Sequence, residues 1–354
     1  MPVMRREIFV GSVGIGGNHP VSIQSMTNTD TRDVDATLGQ IRALATAGCD
    51  IVRVALPADD AVASFGLIVR DSPLPLIADV HFDASLALAA IEAGANGLRI
   101  NPGNIGDRRR MVPVIRRAAE RRIPIRIGVN AGSLAKRFRD SSRPRYQAMV
   151  DSLMQHVHFF RDQGFDLIKI SLKSSRVKET VAANRMAAEA CDYPIHLGVT
   201  EAGSGLEGEV RSAVGIGALL LDGIGDTIRV SLTADPVREI RVARALLAAV
   251  GLRKTGIEVI SCPTCARTSV DLIPLVEKVK NRLAALETRR LLTVAVMGCE
   301  VNGPGEARDA DIGLAFSRSR GFLFRYGKVV ARVDAAEAVD RLETEVRRML
   351  ASGE

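Results

Sequence analysis

Hydrophobic and polar positions over the first two thirds of the chain follow one repeating pattern. A short run rich in β-branched residues ends in polar residues, and an alanine-rich stretch with apolar positions three and four apart follows. The runs are "VSIQS" (21–25), "IVRVAL" (51–56), "LPLIADV" (74–80), "GLRI" (97–100), "IRIGV" (125–129), "LIKISL" (167–172), "IHLGV" (195–199) and "TIRVSL" (227–232). Helices are predicted between them, over stretches such as "ATLGQIRALATAG", "ASLALAAIEAG", "RYQAMVDSLMQHVHFFRDQG" and "RVKETVAANRMAAEA". Alternating strand and helix make a parallel sheet, and eight such units in about 230 residues are the count for a (β/α)8 TIM barrel. An open doubly wound sheet shares the local pattern. The glycines of "VGSVGIGG" precede the first convincing strand instead of following one, so they predict a turn and not a nucleotide loop.

After "GLRKTG" (251–256) the pattern changes. "IEVIS", "LLTVAVMGC", "DIGLAF", "GFLFRYG" and "KVVARV" read as strands, with helices at about 270–289 and over "AAEAVDRLETEVRRML". The fold class is therefore α/β, a TIM barrel over residues 1–252 followed by a smaller α+β domain over 253–354.

Composition narrows the function classes. The profile, 47% hydrophobic and 25% charged, is that of a globular chain with a sizeable core. Trp is absent and aromatic residues make up 4%, which leaves no stacking platform for nucleic acid. A net charge of +7 favours anionic partners. The N-terminus lacks a signal-peptide core and no apolar run spans a bilayer, so the expected compartment is the cytoplasm, without membrane association. Five cysteines in 354 residues make no disulfide framework there.

A barrel builds its site at the C-terminal ends of its strands. Those ends hold Gln24 and Ser25, Arg53, Asp79 and His81, Arg99 and Asn101, Arg126 and Asn130, Lys169, Ser171 and Lys173, His196, Thr200 and Glu201, and Arg229 and Ser231. Residues two apart on a strand share a face, and packing alone does not account for basic residues in six of eight strands. As a group they predict a pocket for a small phosphorylated anion, since Arg grips phosphate through paired hydrogen bonds. The arginines of 107–122 are expected on a solvated helix face and 136–145 in a loop. Cys49 and Cys191 are expected as buried small hydrophobes, and His156 and His158 in packing or surface roles.

"SCPTCARTSVDL" carries Cys262 and Cys265, and "MGCEVNGPGEA" adds Cys299 after an apolar strand. A redox disulfide would use only the C-x-x-C pair. A structural zinc wants four ligands, and this domain has neither a fourth Cys nor a His. An iron–sulfur cluster can be held by three thiolates with one iron left open, where Glu306 is a candidate weak ligand. All three readings stand on spacing alone.

"SCPTCART", "MGCEVNGPGEARDADIG", "HLGVTEAG", "GDTIRVSL" and "LRINPGN" together resemble the 4-hydroxy-3-methylbut-2-enyl diphosphate synthase family of the methylerythritol phosphate pathway, in its short bacterial two-domain form. The resemblance implies a [4Fe–4S] cluster on Cys262, Cys265 and Cys299, with Glu306 on the fourth iron when no substrate is bound. It implies reductive ring opening and dehydration of 2-C-methyl-D-erythritol 2,4-cyclodiphosphate to the linear allylic diphosphate. Arg53, Arg99, Arg126, Lys169 and Arg229 should grip the diphosphate, helped by Asn130, Ser171, His196 and Ser231. Asp79, His81, His196 and Glu201 are candidates for proton handling or substrate hydroxyl contacts, and the substrate's oxygen would displace Glu306 from the open iron. Flavodoxin or ferredoxin would deliver the electrons, and a homodimer would set one chain's cluster against the other's barrel. The alternatives are a pterin-synthase-type barrel with a structural zinc module, an iron–sulfur electron carrier, and a nucleic-acid binder.

Overall fold

The computed structural model describes residues 4–81, 83–101, 108–140, 142–252, 255–284, 286, 288, 290–299, 307–317 and 320–352. Backbone proximity divides the chain into two compact units, Met1–Leu252 and Arg253–Glu354.

The first unit opens with an antiparallel hairpin of β1 (Ile8–Val10) and β2 (Val13–Ile15), turned at Gly11 with φ 57°. The glycine pattern predicts a turn there, and the structure shows that this turn joins two short strands the pattern does not mark. Ile8, Val10 and Ile15 pack on Ile51 and Ile77 near the starts of two barrel strands, so the hairpin plugs the barrel's N-terminal end. The segments are too short and glycine-broken to show strand periodicity; burial against the barrel holds them in place.

Eight strands follow: β3 (Ser22–Met26), β4 (Ile51–Ala55), β5 (Leu76–Val80), β6 (Gly97–Ile100), β7 (Ile125–Asn130), β8 (Ile168–Lys173), β9 (His196–Leu197) and β10 (Thr227–Ile228). They pair in parallel in the order β8-β7-β6-β5-β4-β3-β10-β9, and a parallel bridge between Ile170 and Ile195 joins the two ends into a closed barrel. The connections run through α1 (Val34–Ala47), α2 (Val62–Asp71), α3 (Ala84–Glu92), α4 (Val112–Arg121), the short α5 (Lys136–Arg139) with α6 (Arg145–Asp162), α7 (Val177–Ala190), α8 (Gly205–Leu221) and α9 (Pro236–Ala249). Local chemistry sets the helix ends. Asp33 caps α1 by accepting from the Ala36 N–H, and Gly48 ends it at φ 94°, a left-handed conformation that costs glycine nothing. The core lies between strands and helices, where Val52, Val54, Leu98, Ile127 and Ile170 meet helix residues such as Ile41, Phe65, Ile115 and Leu153. β9 and β10 hold only two ladder residues each, where five- and six-residue strands are expected. Their continuations, which carry site residues, leave the regular ladder.

The second unit is a five-stranded sheet in sequential order, β11 (Gly256–Ser261), β12 (Leu291–Met297), β13 (Ile312–Ser317), β14 (Arg320–Arg325) and β15 (Lys328–Asp334). β11, β12 and β13 run parallel, and β14 and β15 are antiparallel to their neighbours. Helices α10 (Leu272–Leu283) and α11 (Ala338–Ser352) supply Leu272, Val276, Val279, Leu342 and Val346 to a core with Val294, Leu314 and Leu323 of the sheet. Among the described residues no helix is long and apolar enough to cross a membrane.

Candidate functional site

Ladder register assembles the barrel site. Asp79 of β5 pairs with Arg99 of β6, Arg99 with Arg126 of β7, and Arg126 with Lys169 of β8. Residues in register on neighbouring strands face the same side of a sheet, so one rung of the barrel interior carries a carboxylate and three basic groups. A cavity of about 250 Å³ opens at the C-terminal end of these strands. All of its lining residues are among the strand ends named from sequence, nine of them with an assigned role: Arg53, Asp79, His81, Arg99, Arg126, Asn130, Ser171, Arg229 and Ser231. Lys173 and Thr200 complete the lining. Lys169 and His196 do not line it; both are buried in the barrel interior. Glu201 does not line it either; it is exposed and holds a left-handed backbone at φ 53°.

Asp79 is the counter-ion of the rung. Arg99 Nη1 donates to its Oδ1 at 3.1 Å, and Arg53 Nη1 and His81 Nε2 stand 3.6 and 3.7 Å from its Oδ2. Burial alone would raise the Asp79 carboxyl, but Arg53, His81 and Arg99 together hold it well below the usual range. The cations outnumber it, and burial disfavours the charge on Arg53, Arg126, Lys169 and Lys173. Burial lowers the Arg53 guanidinium to about 9 despite the pull of Asp79. Burial, with Arg126 nearby, lowers the Lys169 ammonium to about 7. Arg126, Lys173 and His196 are pushed well below their ordinary values, first by burial and then by neighbouring cations, Arg53 and Arg99 acting on Arg126 and Arg126 acting on the other two. Many of their donors have no partner: Arg126 Nε and Nη1, Lys169 Nζ, Arg99 Nε and Arg53 Nε are buried without a hydrogen bond. Buried donors and unneutralised charge are costly, and an anion in the cavity would supply what both lack.

Lys173 is a site residue that the strand-end reading names without singling out. Its Nζ lies 3.2 Å from His196 Nε2, over Gly198. A Cβ at position 198 would fall 2.5 Å from that Nζ and 2.7 Å from the Arg229 carbonyl, so only glycine admits the lysine there. Glu239 leaves no sequence signal: it sits in the first turn of α9, where a glutamate ordinarily complements the helix dipole.

In the second unit, Cys262 follows β11 and Cys299 lies two residues beyond β12, at matching ends of two parallel strands paired through Ser261 and Val296. The Gly298 N–H donates to Cys262 Sγ at 3.3 Å, and Ser269 N–H donates to the Gly298 carbonyl at 2.9 Å, tying the C-P-T-C loop to the third cysteine's segment. A Cβ on Gly298 would meet Thr268 Cγ2 at 2.7 Å. Thr268 in turn accepts from the Cys265 N–H at 3.1 Å. The Arg267 N–H leads the interactions that lower the exposed Cys265 thiol. Thiolate sulfur is the donor type an iron–sulfur centre takes, and the Gly298 N–H on Cys262 Sγ is the kind of contact that tunes one, although the three cysteines are not brought together as a ligand set. Among the described residues no three metal-binding side chains are gathered into a coordination shell, and Glu306 lies outside the described residues. Cys49, by contrast, is a buried core thiol that burial pushes up to about 12.

The chain is similar to known proteins along its whole length. The GcpE TIM-barrel domain matches residues 5–244, and the GcpE protein C-terminal domain matches 258–348. A protein of Geobacter sulfurreducens named 4-hydroxy-3-methylbut-2-en-1-yl diphosphate synthase (flavodoxin) is 54% identical over 352 residues, 99% of each chain. A relative of the same name from Maridesulfovibrio salexigens is 53% identical over 94% of this chain and 92% of its own. Among solved structures, the dihydropteroate synthase of Burkholderia cenocepacia superposes with a TM-score of 0.50 at 16% identity, covering 71% of this chain and 99% of its own, a likeness of fold alone. That disfavours the pterin-synthase alternative, because identity runs instead with the synthases through both units. The chain belongs to the GcpE family, that of the 4-hydroxy-3-methylbut-2-en-1-yl diphosphate synthases.

Proposed function

We propose that the barrel cavity binds 2-C-methyl-D-erythritol 2,4-cyclodiphosphate and that the chain opens its ring reductively to 4-hydroxy-3-methylbut-2-enyl diphosphate, in non-mevalonate isoprenoid synthesis. Two electrons and two protons enter, the ring C–O bond and one C–OH bond break, and water leaves. The observation that carries this reading is the rung of buried cations whose donors lack partners. A diphosphate offers the charge and acceptor oxygens they are missing. In this reading Arg53, Arg99, Arg126 and Arg229 hold the diphosphate from the cavity wall, with Asn130, Ser171 and Ser231 as hydrogen-bonding partners. Lys169 and His196 support them from the buried interior. Asp79 keeps Arg53 and Arg99 aligned, and with His81 and Glu201 it is assigned to substrate hydroxyls and protons.

Cys262, Cys265 and Cys299 would hold a [4Fe–4S] cluster, with Glu306 as its fourth protein ligand. When bound, such a cluster supplies electrons one at a time and a Lewis-acidic iron. The electron donor is flavodoxin, as in the relatives' name, or ferredoxin. The enzyme works in the cytoplasm as a homodimer, with one chain's cluster facing its partner's barrel. An exposed apolar stripe on α8, formed by Leu206, Val210, Val214 and Leu221, supports self-association.

The test is anaerobic turnover of the cyclic diphosphate with reduced flavodoxin, following the product by mass spectrometry. Formation of the linear allylic diphosphate supports the reading. An unchanged ring with cofactor-replete protein contradicts it.

A further inference from the structure

Helix α9 packs outside the barrel against β3, yet its Glu239 is only 4% exposed. The carboxylate reaches inward between β3 and the segment after β10. Ser25 Oγ donates to its Oε2 at 3.0 Å, the Leu232 N–H donates to its Oε1 at 3.0 Å, and Arg229 Nε stands 3.5 Å from Oε2. These partners lie on the two sides of one seam.

That seam is one of the short-laddered seams of the barrel. β10 is laddered to β3 only through Thr227 and Ile228, opposite Ser22 and Ile23. Residues 229–232 carry the cavity residues Arg229 and Ser231 but have no ladder to the C-terminal half of β3. Glu239 stands in for the missing ladder, accepting on one side from β3 and on the other from the backbone of that segment. A buried carboxylate is costly unless it is hydrogen-bonded, and all of the partners that offset this cost for Glu239 serve the seam.

We propose that Glu239 is a positioning residue for anion binding: from outside the barrel its carboxylate fixes Arg229, and the backbone that presents Ser231, against β3. The proposal rests on the reading of the cavity as a diphosphate site. It has a sign that bare electrostatics does not share. Glu239→Gln removes a negative charge beside Arg229, so long-range attraction alone would tighten binding of an anion. The amide would also turn an N–H toward the Arg229 and Ser25 donors, so the positioning role requires weaker binding.

The experiment is calorimetric titration of the full-length protein with inorganic pyrophosphate, for wild type, Glu239→Gln, Glu239→Asp, Arg229→Met and the Glu239→Gln/Arg229→Met double variant. The expected result is about tenfold weaker binding by Glu239→Gln, the loss of one charge-assisted hydrogen bond. Most of that loss should vanish in the Arg229→Met background, because coupled residues are not additive. Glu239→Asp keeps the charge but withdraws it by one methylene, and should also weaken binding; it decides the matter if the glutamine variant does not fold. Unchanged or tighter binding by a folded Glu239 variant would overturn the proposal, as would a full loss that persists without Arg229. A wild type that does not bind pyrophosphate removes the diphosphate reading itself, and this inference with it.

Discussion

Lys169 offers the sharpest test of the electrostatics. It is 1% exposed on β8, its Nζ has no hydrogen-bond partner, and burial lowers it from 10.5 to about 7. In the unfolded chain the lysine keeps its proton up to its ordinary value. Between pH 7 and 10.5, therefore, the unfolded state binds a proton that the folded state has released, and stability rises with pH across that window. Below pH 7 both states are charged and the full penalty applies, about 5 kcal/mol at ~1.4 kcal/mol per unit. At pH 9 the same linkage leaves about 2 kcal/mol. Lys169→Met removes the charge and keeps an unbranched stem of similar volume. It should unfold at higher urea concentration than wild type at pH 7, and its advantage should shrink by about 2 kcal/mol between pH 7 and pH 9. Urea denaturation followed by far-ultraviolet circular dichroism at the two pH values measures both quantities. Pyrophosphate should stabilise wild type more than the variant, since an anion repays the buried charge only where the charge exists. A variant less stable than wild type at pH 7, or a gap that ignores pH, would refute the account of an uncompensated ammonium.

Other changes follow from the same geometry. Asp79→Ala leaves Arg53 and Arg99 buried without their carboxylate and should cost about 3–5 kcal/mol in denaturant unfolding, partly restored by pyrophosphate. Gly198→Ala places a methyl against Lys173 Nζ and the Arg229 carbonyl, and should weaken pyrophosphate binding in titration calorimetry. Ile77→Ala opens the contact between hairpin and barrel and should destabilise by about 2–4 kcal/mol in thermal or urea unfolding, with binding at the far end unaffected. Cys299→Ser should leave the five-stranded sheet folded by circular dichroism while iron incorporation falls.

The barrel is legible in the sequence because parallel strands covered on both sides read as continuous β-branched runs, broken only where an inward position carries charge. "GLRI" is bounded correctly to the residue, since Gly97 and Ile100 mark both ends of β6. The same alternation picks out Arg53, Arg99, Arg126 and Ser171 as cavity residues. Legibility fails where tertiary contacts decide. The hairpin strands at Ile8–Val10 and Val13–Ile15 are too short to show a period. β9 and β10 stop after two residues although their sequences continue to read as strand; Lys173 crowds Gly198, and Glu239 takes over hydrogen bonds from outside. Lys169 and His196 follow the strand alternation but lie too deep to line the cavity. Glu201 sits beyond β9 in a left-handed turn, where strand alternation no longer assigns a direction.

The central claim joins a diphosphate-binding barrel to redox chemistry on three cysteines, and the redox half is tested most directly by metal content. Iron and acid-labile sulfide should be measured on protein purified without oxygen, alongside zinc and with Cys299→Ser in parallel. The account predicts about four irons and four sulfides per chain for wild type, falling in the variant. Zinc at those cysteines, or no metal under conditions that load clusters, would contradict it and leave a phosphate-binding barrel without its source of electrons.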